Sequence, residues 1–260
     1  MINKKALLVI GCIVLFNYDG YGQKQLVIAH RGASGYATEN TLTAVKLAIQ
    51  QKANAIEVDI WRTLDDSLVV FHDRDTKRLT GDSIVIPEAT YDQLRALTLP
   101  GGEYIPTLRE VLNELPRNRK IFIEIKCCWE KGRAGEVFPY LKTILEETNT
   151  KKQAILISFN IDKLEDAKKY LPKTPCFLLA YKTMEPQEFI KKVRQSGIDG
   201  INVHHSMVTA ELIGAIRASG YGFYVWTVDD LQIASALRKN KGVNGITTNI
   251  PDKVLKISDH

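Results

Sequence analysis

Residues 26–60, LVIAHRGASGYATENTLTAVKLAIQQKANAIEVDI, contain the stretch that decides the fold. Two short apolar runs, LVIAH (26–30) and AIEVDI (55–60), have the length and composition of buried strands. Between them, TLTAVKLAIQQ (41–51) repeats apolar residues at helical spacing and opens on a threonine that suits a helix cap. A strand, a helix and a second strand in this order predict two parallel strands joined by a helical crossover.

The same alternation continues along the chain. Six further strand candidates follow, namely IFIEIK (121–126), AILISF (154–159), CFLLAY (176–181), GINVH (200–204), GFYVWTV (222–228) and GITT (245–248). Helical patterns lie at 107–115, 136–147, 161–171, 185–197, 209–220 and 230–242. Eight strands alternating with helices in 260 residues predict an α/β fold, the closed (β/α)8 TIM barrel. A doubly wound open sheet is the alternative, although no Gly-x-Gly-x-x-Gly follows the first strand to bind a dinucleotide.

One segment interrupts this rhythm. Residues 74–104 lie between the second strand and the helical pattern at 107–115, and they indicate a loop, a hairpin and a short helix, TYDQLRAL (90–97). We interpret them as a small insertion after the second strand that caps one end of the barrel. Nothing indicates a second domain, so residues 23–260 are predicted to form one domain.

The first 22 residues differ from the rest in composition. Lys4 and Lys5 precede the apolar run ALLVIGCIVLF (6–16), and the small residue Gly22 follows a few positions later. A positive start, a short apolar run and a small-residue exit are typical of a secretory signal peptide. The run is too short to span a bilayer, so we predict cleavage of residues 1–22, export to the periplasm or the exterior, and no stable membrane insertion afterwards. VIGC, which ends at Cys12, resembles a lipobox and makes an anchored lipoprotein the alternative.

Charge and cysteine content exclude several function classes. The formal net charge of +5 is spread along the chain with no basic block, which argues against a nucleic-acid partner. Three cysteines remain beyond the predicted signal peptide: Cys127, Cys128 and Cys176. Their odd number and the lack of Cys-x-x-Cys spacing indicate neither a disulfide framework nor a zinc site. We expect one small buried residue and two loop thiols.

Acidic residues lie near the ends of the second and third predicted barrel strands. Glu57 and Asp59 share one face of the second strand, and Glu124 lies on the third. TIM barrels carry their active sites at the carboxyl ends of the strands, so these three side chains should meet at one mouth. Three carboxylates there would repel one another unless a cation lies among them, and all-oxygen ligands favour Mg²⁺ or Ca²⁺. We therefore predict a divalent-cation site.

Two histidines and two basic residues complete the predicted site. His30 ends the first strand, and His72 lies in DSLVVFHDRD, a segment that should turn back over the mouth. Two histidines beside a metal suit general acid–base catalysis. Arg31 and Lys126 add positive charge that could hold a phosphate. Together these groups predict a phosphodiester-cleaving site for a small-molecule substrate.

Six motifs, in this order, resemble the glycerophosphodiester phosphodiesterase family: HRGASGYATENT, EVDI, FHD, EIK, GYGFYVWTVDD and GITTNIPDKV. The resemblance runs from residue 26 to about residue 254. It implies a TIM barrel that hydrolyses glycerophosphodiesters to an alcohol and sn-glycerol 3-phosphate with the help of a divalent cation.

The resemblance also implies roles for individual residues. The acid–base pair would be His30 and His72, the metal ligands Glu57, Asp59 and Glu124, and the phosphate contacts Arg31 and Lys126. Asn40 is expected to face the pocket as well. Trp226 is either part of the barrel core or an apolar wall for the glycerol moiety, and one of His204 and His205 is expected to face the mouth.

The chain departs from the family pattern at three positions. Thr38 replaces a usual proline, which should affect only the turn geometry. Asp229 replaces a usual asparagine, and Asn249 replaces a usual aspartate. Both exchanges fall at strand ends, so we expect them to reshape hydrogen bonding in the pocket without removing a metal ligand.

Two other functions compete with phosphodiester hydrolysis. One is an exported barrel that binds phosphodiesters or lipid head groups without turnover, and the paired His30 and His72 argue against it. The other is a metal-dependent sugar isomerase or epimerase. Those barrels usually place histidine among the metal ligands, whereas the acid set here is all-oxygen.

Overall fold

The computed structural model describes residues 24–126 and 137–257. Its strands are β1 (Leu26–Ala29), β2 (Ala55–Arg62), β3 (Leu68–Val70), β4 (Lys120–Ile125), β5 (Ala154–Ser158), β6 (Cys176–Ala180), β7 (Gly200–His204), β8 (Gly222–Trp226) and β9 (Gly245–Thr248). All except β3 are parallel, in the order β1-β9-β8-β7-β6-β5-β4-β2. Because β1 also pairs with β2, the sheet closes into the predicted (β/α)8 barrel, and the open-sheet alternative is wrong.

The helices that connect the barrel strands lie where the sequence predicts helical patterns, whereas two short helices, Lys77–Thr80 and Pro251–Leu255, were not predicted. The helices are α1 (Leu42–Gln50), α2 (Lys77–Thr80), α3 (Tyr91–Arg95), α4 (Leu108–Glu114), α5 (Val137–Glu147), α6 (Ile161–Tyr170), α7 (Pro186–Ser196), α8 (Ala210–Ala218), α9 (Leu231–Arg238) and α10 (Pro251–Leu255). Thr41 caps α1 by accepting from the backbone N–H of Ala44, and Thr107 forms a capping box with Glu110 at α4. The helix α9 is shorter than predicted, because the chain after it turns at Asn240.

Alternating residues of each barrel strand divide between two apolar layers. Outward residues such as Ile121 and Ile123 pack under the helices, whereas Phe122 between them points into the barrel. Phe122 and Phe177 contact the ring of Tyr224 edge-on, with centroid distances of 5.1 and 4.8 Å. The barrel interior is therefore filled with side chains below the mouth.

The start of β7 requires glycine. Gly200 pairs with Gly222, and a Cβ added at Gly200 would lie 2.1 Å from the Gly222 carbonyl oxygen. Its φ of 153° also falls in a region that L side chains rarely adopt.

The segment after β2 turns back as predicted. Strand β3 pairs antiparallel with β2, with Val70 opposite Ile60. Residues 74–104 then form α2, a short 3-10 turn and α3 around a separate apolar cluster that includes Phe71 and Leu94. The Thr38 hydroxyl donates to the Pro100 carbonyl at 2.9 Å, which ties this insertion to the loop after β1, beside the barrel mouth.

Some sequence predictions fall outside the described residues. The predicted signal peptide (1–22), with Cys12, and the thiols of Cys127 and Cys128 are among them. Cys176 is buried and free, as expected for a small core residue. Within residues 24–126 and 137–257, no helix has the length and apolar character needed to cross a bilayer.

Candidate active site

Two adjacent strands bring the predicted metal ligands together. Asp59 of β2 lies opposite Glu124 of β4 in register, and Glu57 is two residues earlier on the same face of β2. One carboxylate oxygen from each of the three lies within 4.8 Å of the others, and all three side chains are buried. This set fits a hard divalent cation, because every donor is a carboxylate oxygen.

Burial and mutual repulsion shift the titration of these acids. Burial, followed by the charges of Asp59 and Glu124, raises the pKa of Glu57 well above its ordinary value. Burial and the charge of Asp59 raise the pKa of Glu124 to about 7, although Lys126 opposes the shift. Burial acts the same way on Asp59, but Lys126 and Arg31 outweigh it and lower the pKa of that carboxyl. The nearby basic residues therefore compensate the negative charge of the cluster only in part, as expected where a cation could bind.

The Lys126 ammonium contacts two of the three acidic side chains, Asp59 and Glu124. Its Nζ is 2.8 Å from Asp59 Oδ1 and 2.6 Å from Glu124 Oε1, although the Asp59 contact lacks hydrogen-bond geometry. Burial opposes the charge on this lysine, yet the two carboxylates outweigh burial and raise its pKa. The ammonium thus neutralises part of the acidic cluster. A direct contact between Lys126 and phosphate stays a prediction.

Arg31 occupies a tight turn between the strand end and the acids. Its backbone has a φ of 52°, and the following Gly32 packs so closely on Ala44 that a Cβ would lie 2.6 Å from the Ala44 carbonyl carbon. The Arg31 backbone N–H donates to Glu57 Oε2 at 2.9 Å. Its guanidinium lies 3.2 Å from Asp59 Oδ2 and 2.9 Å from Glu39 Oε1. Arg31 lines the cavity, so a substrate phosphate could reach it.

Asn40 lies behind the acidic cluster. It is buried with a φ of 60°, and its amide donates to Asp59 Oδ2 at 2.8 Å. Its oxygen accepts from the Asp59 backbone N–H at 3.3 Å. These contacts hold the Asp59 carboxylate in place, and the cavity is lined by other residues. The predicted contact of Asn40 with substrate stays a prediction.

The two predicted catalytic histidines line one cavity, next to Glu57 and Glu124. His30 Nδ1 lies 2.7 Å from Asn249 Oδ1, and His30 Nε2 lies 4.0 Å from Glu57 Oε2. His72 Nδ1 lies 2.7 Å from Asp73 Oδ1. Each ring thus uses Nδ1 for a protein partner and leaves Nε2 for other contacts.

Burial disfavours the charged form of both imidazoles. It lowers the pKa of His30 to about 4, and the neighbouring Arg31 charge acts in the same direction. Burial also lowers the pKa of His72, although the charge of Asp59 opposes that shift. A neutral imidazole can accept a proton, which acid–base catalysis requires of one partner.

The opposite side of the mouth is aromatic. Phe159 and Trp226 line the cavity, with ring centroids 5.6 Å apart in an edge-on arrangement. Tyr181 contacts Phe159, and His204 contacts Trp226, at centroid distances of 5.6 and 5.2 Å. Trp226 packs on the barrel core and also borders the cavity, and its role as an apolar wall for the glycerol moiety stays a prediction. The cavity is open to solvent, charged on one side and apolar on the other.

Sequence reasoning missed several of these groups. Phe159 and Tyr181 were not singled out, although each follows its strand at the inward position of the two-residue repeat. Asp73 directly follows His72 and could have been named as its partner. Glu39 lies beside Asn40, but its contacts with Arg31 and Arg78 depend on a fold that brings distant segments together.

The two unusual residues at strand ends belong to the same network. Asn249 contacts His30, and its amide nitrogen donates to Asp229 Oδ2. Both therefore take part in the hydrogen bonding of the pocket, and neither belongs to the acidic cluster.

This fold and site define a class, the (β/α)8-barrel enzymes with a carboxylate cluster that could hold a cation at the carboxyl ends of the strands. Comparison with known families gives a narrower assignment. The model of the glycerophosphoryl diester phosphodiesterase family matches residues 30–253, so the chain belongs to that family. It is an enzyme of the phosphodiesterase type.

Individual relatives agree with this assignment. The chain is 31% identical over 245 residues to the YhdW protein of Bacillus subtilis (strain 168), covering 90% of this chain and 98% of that protein. It is 30% identical over 246 residues to a glycerophosphodiester phosphodiesterase of Caldanaerobacter subterraneus, covering 90% and 98%. An Oleispira antarctica phosphodiesterase solved in complex with the product sn-glycerol-3-phosphate superposes with a TM-score of 0.83 at 26% identity, covering 93% of this chain and 99% of that one.

Proposed function

We propose that this enzyme hydrolyses glycerophosphodiesters to an alcohol and sn-glycerol 3-phosphate, with His30 and His72 as the acid–base pair. One observation carries the proposal. Both histidines line a single cavity beside the acidic cluster, and each has Nδ1 bound to a protein group, which leaves Nε2 for substrate. Sequence similarity to the Oleispira antarctica enzyme with its bound product supports the same reaction here.

Glu57, Asp59 and Glu124 would hold the divalent cation, Mg²⁺ or Ca²⁺. When bound, the cation would withdraw charge from the phosphate oxygens and so make phosphorus easier to attack. Arg31 would add a hydrogen-bonding guanidinium on the same side of the phosphate. Lys126 would balance the negative charge of the ligands and, near the phosphate, assist Arg31.

The partners of the two histidines differ and suggest separate roles. His72 donates to the carboxylate of Asp73, which favours a ring that carries a positive charge. His30 is buried and lies next to Arg31, and both effects favour an uncharged ring, although the hydrogen bond to Asn249 opposes them. We assign His30 as the base that takes the proton of the attacking oxygen. His72 is then the acid that protonates the leaving alcohol.

The aromatic side of the mouth suits the carbon skeleton of the substrate. Trp226 and Phe159 offer apolar faces across from the carboxylates, within the same cavity. With the phosphate on the charged side, the glycerol moiety would pack against Trp226.

The reaction and the two roles are tested with two substrates. Glycerophosphocholine has a poor leaving group, whereas a glycerophosphodiester of p-nitrophenol has a good one that needs no protonation. We expect His72→Ala to lower kcat by about 10²–10⁴-fold on the first substrate and much less on the second. His30→Ala should lower kcat by a similar factor on both. If the His72→Ala variant is equally impaired on both substrates, His72 is not the acid. If the His30→Ala variant keeps near wild-type kcat, the proposed mechanism is wrong.

We also propose that the protein is exported after loss of about 22 residues. The proposal rests on the Lys4-Lys5 start and the short apolar run that follows. Amino-terminal sequencing of the protein from the periplasm or medium tests it. A start at Cys12 that carries lipid would instead support the lipoprotein alternative, and an intact Met1 in the cytoplasm would contradict both.

A further inference from the structure

The loops after β8 and β9 hold a chain of hydrogen bonds that ends on His30. His30 Nδ1 lies 2.7 Å from Asn249 Oδ1, and the Asn249 amide nitrogen donates to Asp229 Oδ2 at 2.5 Å. The other oxygen of Asp229 accepts from the Asn249 backbone N–H at 2.8 Å and from the Thr248 hydroxyl at 2.9 Å. Asp229 itself is exposed at the rim and is linked to His30 through Asn249.

The chemistry of these partners fixes the orientation of each group in turn. A carboxylate only accepts hydrogen bonds, so the end of Asn249 that faces Asp229 must be the NH₂ group. The end that faces His30 is then the carbonyl oxygen, which also only accepts. His30 Nδ1 must therefore carry a hydrogen, and when the ring is neutral its Nε2 holds the lone pair. Nε2 is the atom on the Glu57 side of the ring, 4.0 Å from that carboxylate.

We propose that Asp229 is a positioning residue that sets the tautomer of His30 by fixing the orientation of the Asn249 amide. The inference rests on the proposed function, because it names the group that keeps the proposed base in its proton-accepting form. Asp229 does not touch the substrate in this scheme.

Ser34 cannot take over this task. Its hydroxyl lies 2.7 Å from Asn249 Oδ1 and 2.7 Å from the His30 carbonyl oxygen. A hydroxyl either donates or accepts, so it would adapt to an Asn249 amide in either orientation. Among these neighbours of the Asn249 side chain, only Asp229 distinguishes the two ends of the amide.

The variant Asp229→Asn should turn the Asn249 amide over. The new amide oxygen would keep the backbone N–H of Asn249 and the Thr248 hydroxyl, which leaves its NH₂ group facing the NH₂ group of Asn249. Turning Asn249 relieves that conflict but presents an NH₂ group to His30 Nδ1, which must then accept. The ring hydrogen moves to Nε2. Because Asp229 is exposed and water competes there, we expect kcat to fall roughly 3–10-fold, with KM changed less than about twofold.

A reciprocal exchange tests the same logic in the other direction. Asn249→Asp alone brings two carboxylates together and should also lower kcat. In the double variant Asp229→Asn/Asn249→Asp, the amide at position 229 donates to the carboxylate at position 249. That carboxylate still accepts from His30 Nδ1. We expect the double variant to regain kcat to within about threefold of wild type, above both single variants.

The tautomer is measured directly by ¹⁵N chemical shifts of the His30 ring in the full chain, at neutral pH with Mg²⁺ present. Wild type and the double variant should carry the hydrogen on Nδ1, and Asp229→Asn should carry it on Nε2. Thr248→Val is the matched control, since it removes a hydrogen bond from the same Asp229 oxygen without turning Asn249. It should lower the melting temperature but leave the tautomer and kcat unchanged.

Two results would overturn the inference. One is a hydrogen that stays on Nδ1 of His30 in folded Asp229→Asn, and the other is a folded double variant with kcat no higher than the worse single variant. A wild-type protein without activity on any glycerophosphodiester would instead refute the proposed function, and the ring shifts would still report on the tautomer.

Discussion

The raised pKa values in the acidic cluster predict that cation binding releases protons. Glu124 has a pKa of about 7 without a cation, because burial and the charge of Asp59 oppose its ionisation. A metal ligand must be deprotonated, so the cation competes with that proton. For a single group of pKa about 7, the Kd for Mg²⁺ or Ca²⁺ should be about tenfold higher at pH 6 than at pH 8. Glu57, whose pKa is also raised, can only enlarge this ratio.

Titration calorimetry measures this linkage. Binding at pH 6 in two buffers of different ionisation enthalpy should show release of about one proton or more per cation, falling towards zero at pH 8 if Glu124 alone titrates. The variant Glu124→Gln is the matched control: it removes the titrating carboxyl, so its weaker binding should depend less on pH. A Kd that stays constant from pH 6 to pH 8 in wild type would refute the electrostatic description of the cluster.

The same shift affects the stability of the metal-free protein. A carboxyl whose pKa is higher in the folded state stabilises the fold below its ordinary pKa, near 4.5, and this stabilisation is lost as the pH rises to about 7. For Glu124 the loss is about 3 kcal/mol. His30 acts in the opposite direction, because its lowered pKa stabilises the fold above pH 6.5 and this is lost as the pH falls to about 4. The free energy of unfolding of wild type minus that of Glu124→Gln isolates the carboxyl and should fall from pH 5 to pH 8.

Three further substitutions test other parts of the structure. Phe177→Ala removes a fully buried ring that contacts Tyr224 inside the barrel, and it should lower the free energy of unfolding by about 3–5 kcal/mol in urea titration. Gly200→Ala places a Cβ on the Gly222 carbonyl oxygen, so it should lower the melting temperature sharply, whereas the same change at the unobstructed Gly214 should not. Arg31→Lys should lower kcat/KM on glycerophosphocholine by about tenfold or more, because an ammonium lacks the paired donors of a guanidinium; an unchanged value would remove Arg31 from phosphate binding.

The barrel could be predicted from the sequence because its signals are local. Each strand is an apolar run, each connection carries a helical pattern, and the number of strands selects the closed sheet. The predicted ends of the strands were less accurate. The first strand was predicted to include His30 but ends at Ala29, because Arg31 adopts a left-handed conformation that only the packing of the turn requires.

The sequence predicted which side chains meet at the candidate site, but it did not predict which of them contact one another. The two-residue repeat places Glu57, Asp59 and Glu124 on inward faces, and the shared direction of parallel strands brings them to one mouth. The sequence does not show that Lys126 lies on two of these carboxylates, or that Asn40 stands behind Asp59. Those pairings depend on rotamers and loop conformations, which residue types at a given spacing do not determine.

The filled barrel interior also explains why ionisation of the carboxylates at the mouth is unfavourable. Along β4, Phe122 belongs to the sealed interior, and Glu124, two residues further, belongs to the cavity. The carboxylates therefore lie directly above an apolar layer that cannot solvate their charge, and burial is the largest cause of the raised pKa values of Glu57 and Glu124. Lys126 and Arg31 offset only part of this cost, because both acids keep raised pKa values beside them. The packing that stabilises the barrel thus also leaves an excess of negative charge at its mouth, which a cation could balance.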